Sequence, residues 1–317
     1  MILLTGATGF VGSALANRLS SDAAAEPVVA AVRNAHVVMP KGVVAVHVGD
    51  ILPTTNWQIA LQGITTVVHL AARVHVMNDK SPYPLKDFLQ LNAQGTANLA
   101  RQAASAGVKR FIFLSSIKVN GELTQPGQLF TAEDVPAPED PYGVSKHEAE
   151  ETLRHIATET GMEVVIIRSP LVYGPGVKDN FNLMMRVLSN GIPLPLAAVT
   201  NNRRSLVALD NLLDLIMTCM NHPAAANQTF LVSDGEDLST AELLKRMGQA
   251  LNTPVRLFYM PTLLLKLGAF VLNKSSMYQR LCGSLQLDIS KTQSVLGWHP
   301  SISVDEGLQR AALGLFR

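Results

Sequence analysis

Cysteine is nearly absent from this 317-residue chain, with Cys219 and Cys282 the only two. Two cysteines build neither a disulfide framework nor a cysteine metal centre, and such sparing use fits a reducing cytosol. Charge is also sparse. Charged residues make up 16% of the chain, the net charge is +1, and no Lys/Arg cluster stands out. That excludes a nucleic-acid surface, because binding a phosphate backbone needs concentrated positive charge. No basic segment precedes the N-terminal apolar run, so no signal peptide is expected and a cytoplasmic location follows. Long hydrophobic runs are missing. The most apolar later segment, Pro261 to Leu272, is too short to span a bilayer and carries Lys266. It is expected to form a buried helix or an apolar lid, with no membrane span. The eight histidines show no metal-type spacing with cysteines or carboxylates, so no metal is predicted, and His69 reads as a core or turn histidine. No internal repeat or low-complexity tract is present.

What the chain does have is apolar residues, 47% of the total, enough for a large core in one domain or two closely packed ones. Its first nineteen residues organise the rest. Ile2 to Leu4 form an apolar run without a polar face, which suits a strand buried on both sides of a parallel sheet. Gly6, Gly9 and Gly12 follow at three-residue spacing, and Ala14, Leu15 and Leu19 then recur at helical spacing. Strand, glycine turn and helix make an anion site. Glycine admits left-handed backbone and lets a pyrophosphate approach main-chain N–H groups, while the helix N-terminus presents its positive dipole end. The spacing departs from G-x-G-x-x-G, and three glycines serve equally a tight turn in a protein that binds nothing.

Further strands are predicted over Pro27 to Val32, Val43 to Val48, Thr66 to Leu70, Phe111 to Leu114 and Glu163 to Ile167, with helices over Asp87 to Ala106 and Tyr142 to Thr160. Strands alternating with helices imply an α/β fold, a Rossmann-type doubly wound parallel sheet that binds ligands at the carboxyl ends of its strands. The glycine turn, Arg33, Asp50, Ala71-Ala72 and Ser115-Ser116 all follow strands, so one cleft collects them. Beyond Pro170 the texture changes, with Tyr173-Gly174-Pro175-Gly176 and Ile192-Pro193-Leu194-Pro195 breaking the alternation. A smaller region starts there, its helices announced by the capping boxes Ser239/Glu242, Ser290/Gln293 and Ser303/Glu306.

Tyr142 and Lys146 stand four residues apart on one helical face. A free tyrosine titrates near pH ~10, so it carries protons at neutral pH only where a cation stabilises its phenolate. Lys146 is placed to supply that cation. The alternative is an exposed helical pair. A hydroxyl from Ser115-Ser116, at the end of the fifth strand, can hydrogen-bond a substrate oxygen while the tyrosine moves its proton.

With these residues in view, the chain resembles the extended short-chain dehydrogenase/reductase family, and within it the nucleotide-sugar epimerases, dehydratases and 4-ketoreductases. The resemblance runs through Thr5-Gly6-Ala7-Thr8-Gly9-Phe10-Val11-Gly12, His69-Leu70-Ala71-Ala72, Leu91-Asn92, Gly95-Thr96, Ser115-Ser116, Pro141-Tyr142-Gly143-Val144-Ser145-Lys146 and Val172-Tyr173-Gly174-Pro175. It implies a catalytic triad of Ser116, Tyr142 and Lys146. Ser116 is preferred to Ser115 because it stands three residues before Val119, as in the family's Ser-x-x-Val. Asn120 departs from the family's tyrosine after that valine and puts the local substrate contacts in doubt, while Lys118 reads as a solvated loop lysine.

The resemblance further implies an NAD(P)-binding domain over 1–170, with Gly6, Gly9, Phe10, Val11, Arg33, Asp50, Ile51, Leu70, Ala71, Ala72, Tyr142, Lys146 and Pro170 around the cofactor. Residues 171–317 would form a smaller α/β substrate-binding region interleaved with it. There Asn180 matches the family's diphosphate-touching asparagine, and Arg203, seven residues before Asp210, matches its arginine partner. Arg204 and Arg280 are weaker substrate candidates, and for either a surface role is expected.

Cofactor choice turns on Arg33. Folds that prefer NAD usually carry an acidic residue at the end of the second strand, whereas an arginine there accommodates the 2′-phosphate of NADP. The end reads Ala31-Val32-Arg33-Asn34, without a carboxylate, so NADP(H) is favoured and NAD(H) is the other candidate. Three functions compete. The first is a 4-ketoreductase of a UDP-4-keto-6-deoxy-N-acetylhexosamine in surface polysaccharide synthesis. The second is a 4-epimerase of UDP-glucose or UDP-N-acetylglucosamine, and the third a dinucleotide-sensing protein without chemistry. A UDP-sugar is the expected partner, and a homodimer the expected assembly.

Overall fold

A computed structural model describes residues 1–22, 25–74 and 82–315. Seven strands form a parallel sheet in the order β3-β2-β1-β4-β5-β6-β9. They are β1 (Ile2–Thr5), β2 (Val28–Val32), β3 (Val43–His47), β4 (Thr66–His69), β5 (Arg110–Ser116), β6 (Glu163–Ser169) and β9 (Thr229–Leu231). The order reverses between β1 and β4, where a doubly wound sheet opens its ligand crevice. A second, two-stranded sheet pairs β7 (Leu171–Tyr173) with β8 (Leu206–Ala208).

Alternation along the strands sends neighbouring side chains into different cores. Ile2, Leu4, Val68, Ile112, Val165 and Ile167 pack with Leu15 and Leu19 of α1 (Phe10–Ser21) and Leu212, Leu215 and Ile216 of a helix over Leu209–Asn221. Leu3, Val67, Phe111, Phe113, Val164 and Ile166 pack on the other face with Leu99 and Ala103, and with Ala149, Leu153 and Ile156. Both faces are covered by helices, which is why these strands read as unbroken apolar runs.

The helix expected over Asp87 to Ala106 is composite. It consists of α2 (Pro84–Phe88), a π-helical turn (Leu89–Gly95) and α3 (Thr96–Ser105). The wider turn leaves Leu91 half-buried and buries the polar Asn92. A π turn of this kind frequently marks a functional position. The helix α4 (Pro141–Thr160) is capped by Asp140, whose carboxylate accepts the Gly143 N–H at 2.6 Å.

The seventh strand comes from the later half of the chain, pairing Ile166 with Thr229 and Arg168 with Leu231. Three residues gave it no readable periodicity. The rest of that half comprises α5 (Asp179–Ser189), α6 (Leu209–Asn221), α7 (Thr240–Ala250), α8 (Thr262–Val271), α9 (Ser275–Cys282), α10 (Ser290–Leu296) and α11 (Val304–Leu315). Its own core gathers Tyr173, Phe181, Met185, Leu244, Met247 and Leu308. Ser239 and Ser303 cap α7 and α11 by accepting the N–H groups of Glu242 and Glu306, each at 3.2 Å. Ser290 does not cap. It is already helical, and Asp288 accepts its N–H at 2.8 Å.

Two further expectations change. Pro261 to Leu272 does not form a buried helix, because α8 has no buried side chain. Among its side chains Leu265 is half-buried and packs against the C-terminal core, while Leu263, Leu264, Leu267, Phe270 and Val271 lie exposed outside it. Lys118 is not a solvated loop residue either. It is half-buried and bonded to Glu122 at 2.8 Å and to Asp140.

Candidate active site

Parallel strands end on one edge of the sheet, so the turns after β1, β2, β3, β4, β5 and β6 share that edge. After β1, Gly6 has φ +69°, and a Cβ there would lie 2.7 Å from the Ala71 nitrogen. Gly9 is the N-cap of α1 and supplies no side-chain cap, so the first turn, with Phe10 and Val11, leaves its N–H donors for another acceptor. Gly12 packs the helix onto the turn, where a Cβ would meet the Gly6 oxygen at 2.1 Å. An uncapped helix end over a side-chain-free turn fits a dinucleotide pyrophosphate.

Around this turn lie the other expected cofactor residues. Leu70, Ala71 and Ala72 follow β4 and are half-buried, and the Ala71 N–H donates to Thr5 Oγ1 at 3.3 Å. Ile51 lies against Gly95, where no Cβ fits, since one would sit 2.4 Å from the Ile51 oxygen. Pro170 is buried just after β6. Arg33, at the end of β2, does not stand apart from carboxylates. Asp50, from the turn after β3, lies 3.6 Å from its guanidinium, both side chains being exposed. The carboxylate missing from the second strand arrives from the third.

The side chains of Ser115 and Ser116, the last residues of β5, point to opposite faces. Ser115 is buried and donates to Glu150 at 2.5 Å, which occupies it. Ser116 is half-buried, and its hydroxyl accepts the Lys118 N–H at 3.3 Å. Of the two, Ser116 has the hydroxyl left for a substrate.

Tyr142 stands in the first turn of α4, its ring edge-on to Phe88 with centroids 6.1 Å apart. Lys118 clamps the cap residue Asp140, and Asp140 holds the turn that carries the tyrosine. One turn on, Lys146 is buried, donates to the Leu114 carbonyl at 2.8 Å, and lies 4.3 Å from the Phe113 ring and 5.9 Å from the Tyr142 ring. Burial pushes the Lys146 ammonium down to about 7, against the opposing pull of Glu150. Burial, with Asp140 adding to it, pushes the Tyr142 phenol up from its usual range. In this state the tyrosine therefore holds its proton. The carboxylates of Asp140 and Glu122 outweigh the burial of Lys118 and hold it above the usual lysine range.

His69 is a core residue, bonded to Thr5 at 2.7 Å and to Thr96 at 2.9 Å and stacked on Phe113. Burial first, and Lys146 second, lower it to about 3, so it is neutral. Asn120 is buried too, accepting from Arg168 at 2.9 Å and donating to the Thr131 carbonyl at 2.7 Å. It is a structural bridge, which removes it from the residues that meet a substrate.

Two positions have no role in the sequence reading, and a third, expected at the surface, is half-buried. Asn92 accepts the Arg73 N–H at 2.8 Å and donates to Ser145 Oγ at 3.0 Å, tying the turn after β4 to the helix of Tyr142. Glu150, four residues beyond Lys146 on the same helical face, was open to the spacing argument. Arg204 is the third. Arg203 is exposed, its guanidinium turned back on the Thr200 and Asn202 carbonyls at 2.9 and 3.0 Å. Arg204 is half-buried and donates to the Gly283 carbonyl at 3.2 Å. Burial and then the neighbouring Arg280 lower its affinity for its proton, with Glu122 opposing. Arg280 is exposed, and its guanidinium lies near enough to repel that of Arg204, a pairing of like charges that suits an anion with several oxygens. Asn180 is exposed in the first turn of α5.

The model of the NAD dependent epimerase/dehydratase family matches residues 2–233. A UDP-glucose 4-epimerase of Vibrio cholerae is 51% identical over 313 residues, covering 98% of this chain and 94% of its own. Among solved structures, a UDP-glucuronic acid 4-epimerase from Bacillus cereus in complex with NAD superposes with a TM-score of 0.79 at 20% identity, over 99% of this chain and 98% of that one. A UDP-glucose 4-epimerase from Thermotoga maritima with UDP-glucose gives a TM-score of 0.78 at 20% identity, again over 99% and 98%. These two carry the fold. With the glycine turn, the seven-stranded parallel sheet and the Tyr142-Lys146 helix already in place, the chain belongs to the NAD-dependent epimerase/dehydratase family of extended short-chain dehydrogenase/reductase enzymes.

Proposed function

We propose that this protein is an NAD-dependent 4-epimerase of a UDP-hexose, with Ser116, Tyr142 and Lys146 as its catalytic residues. The observation that supports epimerase over 4-ketoreductase is the 51% identity, over nearly both full lengths, with a UDP-glucose 4-epimerase. NAD, when bound, supplies the cationic acceptor for the hydride that leaves C4 of the sugar and later returns to its opposite face.

The protein's own residues handle the proton and the positioning. Tyr142 takes the proton of the 4-hydroxyl as the hydride leaves and gives it back as the hydride returns, so no net oxidant is consumed. Ser116 hydrogen-bonds the same oxygen in both half-reactions. Lys146, fixed by the Leu114 carbonyl, supplies in its ammonium form the charge that eases loss of the phenolic proton, which leaves before Tyr142 accepts the proton of the sugar. Arg204 and Arg280 hold the diphosphate, with Asn180 at the rim, and leave the sugar free to turn. Arg203 is set aside because its guanidinium is engaged by its own loop. The Arg33–Asp50 pair supports NAD over NADP, because a 2′-phosphate would meet the Asp50 carboxylate beside the guanidinium.

The deciding experiment supplies UDP-glucose to the purified protein with NAD and no other redox partner. UDP-galactose should form without net accumulation of NADH. Failure of that conversion, with stoichiometric oxidation of NADPH by a UDP-4-keto-sugar, would instead identify a reductase.

A further inference from the structure

The helix α8 turns its apolar side outward. Leu263, Leu264, Leu267, Phe270 and Val271 are each between 54 and 75% exposed. At ~100° per residue these five occupy an arc of about 120°, while the half-buried Leu265 and Ala269 face the protein from the opposite side. Leu272 and Met277 continue the patch into the start of α9 at 71 and 56% exposure. Apolar surface of this extent on a protein exterior marks a partner or a membrane.

Charge decides what that partner is. Between Glu242 and Asp288 the chain contains no Asp or Glu, yet it carries Lys245, Arg246, Arg256, Lys266, Lys274 and Arg280. Arg246 is neutralised by Glu236, Glu242 and Asp305. Lys266 and Lys274, which flank the apolar arc, are exposed, and no ion pair holds them among the described residues. A protein of net charge +1 has therefore gathered one sign of charge around this apolar exposed face. A second copy is a poor fit, because a two-fold interface sets the same patch against itself and would bring these lysines together. An anionic surface with an apolar interior matches both features.

We propose that α8 and the start of α9 form an interfacial docking element that lies in the headgroup region of an anionic lipid bilayer. The helix rises only about 15 Å against a hydrocarbon core of about 30 Å, so it lies on the membrane and does not cross it. Leucines and a phenylalanine on one side, with lysines at the flanks, are the composition of such elements. Docking would also set at the lipid surface the adjacent cleft of about 760 Å³, lined by Asn201, Asn202, Tyr259, Leu263 and Tyr278.

Flotation of the purified full-length protein with vesicles tests this directly. Binding to mixed phosphatidylcholine and phosphatidylglycerol vesicles should be strong at low salt and weakened by added salt, and vesicles of phosphatidylcholine alone should bind poorly. Lys266→Ala and Lys274→Ala should each lower the partition coefficient about fivefold. Phe270→Asp should abolish binding with its circular dichroism and solution turnover unchanged. Parent protein that stays unbound on anionic vesicles, or lysine variants that bind as well as the parent, would overturn the proposal. A parent dimer that Phe270→Asp converts to monomer would also overturn it and assign the face to a second copy.

Discussion

The carboxylate of Glu150 meets the guanidinium of Arg168 at 2.6 Å, in a place where both side chains are 1% exposed or less. Glu150 also accepts from Arg168 Nε and from Ser115, and Arg168 goes on to Asn120. This buried set fastens α4 to β5 and β6 one turn beyond Lys146. Removing one partner leaves the other charge buried alone, so Glu150→Ala should lower unfolding stability by about 3–5 kcal/mol. Urea denaturation measures it, and an unchanged midpoint would deny the pair its structural role.

Tyr142→Phe keeps the ring against Phe88 and deletes only the hydroxyl. Turnover should fall by about 10²–10⁴-fold while NAD binding stays near the parent value, as titration of protein fluorescence would report. A variant that turns over at the parental rate would remove Tyr142 from the chemistry.

The two serines separate by the same logic. Ser116→Ala should cut kcat, whereas Ser115→Ala, whose hydroxyl serves Glu150, should cost stability of about 1 kcal/mol and leave kcat largely intact. Reversal of these two outcomes would move the substrate contact to Ser115.

Lys146 also carries a pH prediction. Its folded value of about 7 lies below the ordinary 10.5, so between those values the unfolded chain binds a proton that the folded protein does not. Stability then rises with pH across that window. Thermal unfolding of the parent and of Lys146→Met, followed from pH 7 to 10.5, should show the parent gaining stability relative to the variant as pH rises. Parallel curves would mean that the lysine is charged when folded.

Arg204→Ala should raise the KM for UDP-sugar and weaken inhibition by UDP by about tenfold or more, since a charge-assisted contact is lost, with NAD affinity unchanged. Arg203→Ala should do much less. Equal effects would put both guanidiniums on the substrate.

Cofactor choice is tested at Asp50. The parent should bind NAD more tightly than NADP, and Asp50→Asn should narrow the gap by removing the carboxylate beside Arg33. A parent that prefers NADP would restore the isolated-arginine reading.

The sequence alone determined whatever is written in local periodicity and turn chemistry. Apolar runs without a polar face demanded strands covered on both sides, and the spacing of Gly6, Gly9 and Gly12 demanded a close backbone approach that the Ala71 and Gly6 contacts bear out. The Tyr142-Lys146 face was legible because four residues make about one turn of helix. Tertiary structure decided what depends on residues distant in the chain. Only the neighbouring turns of β2 and β3 show that Arg33 has Asp50 beside it, and only packing distinguishes the engaged Arg203 from the half-buried Arg204 next to Arg280. The short strand β9 exists because β6 offers it an unpaired edge, and three residues cannot announce that by themselves. The same holds for α8. Its apolar composition suggested burial, but of its long side chains Leu265 is the one that packs on the C-terminal core, and which residues reach a core depends on packing that composition does not encode.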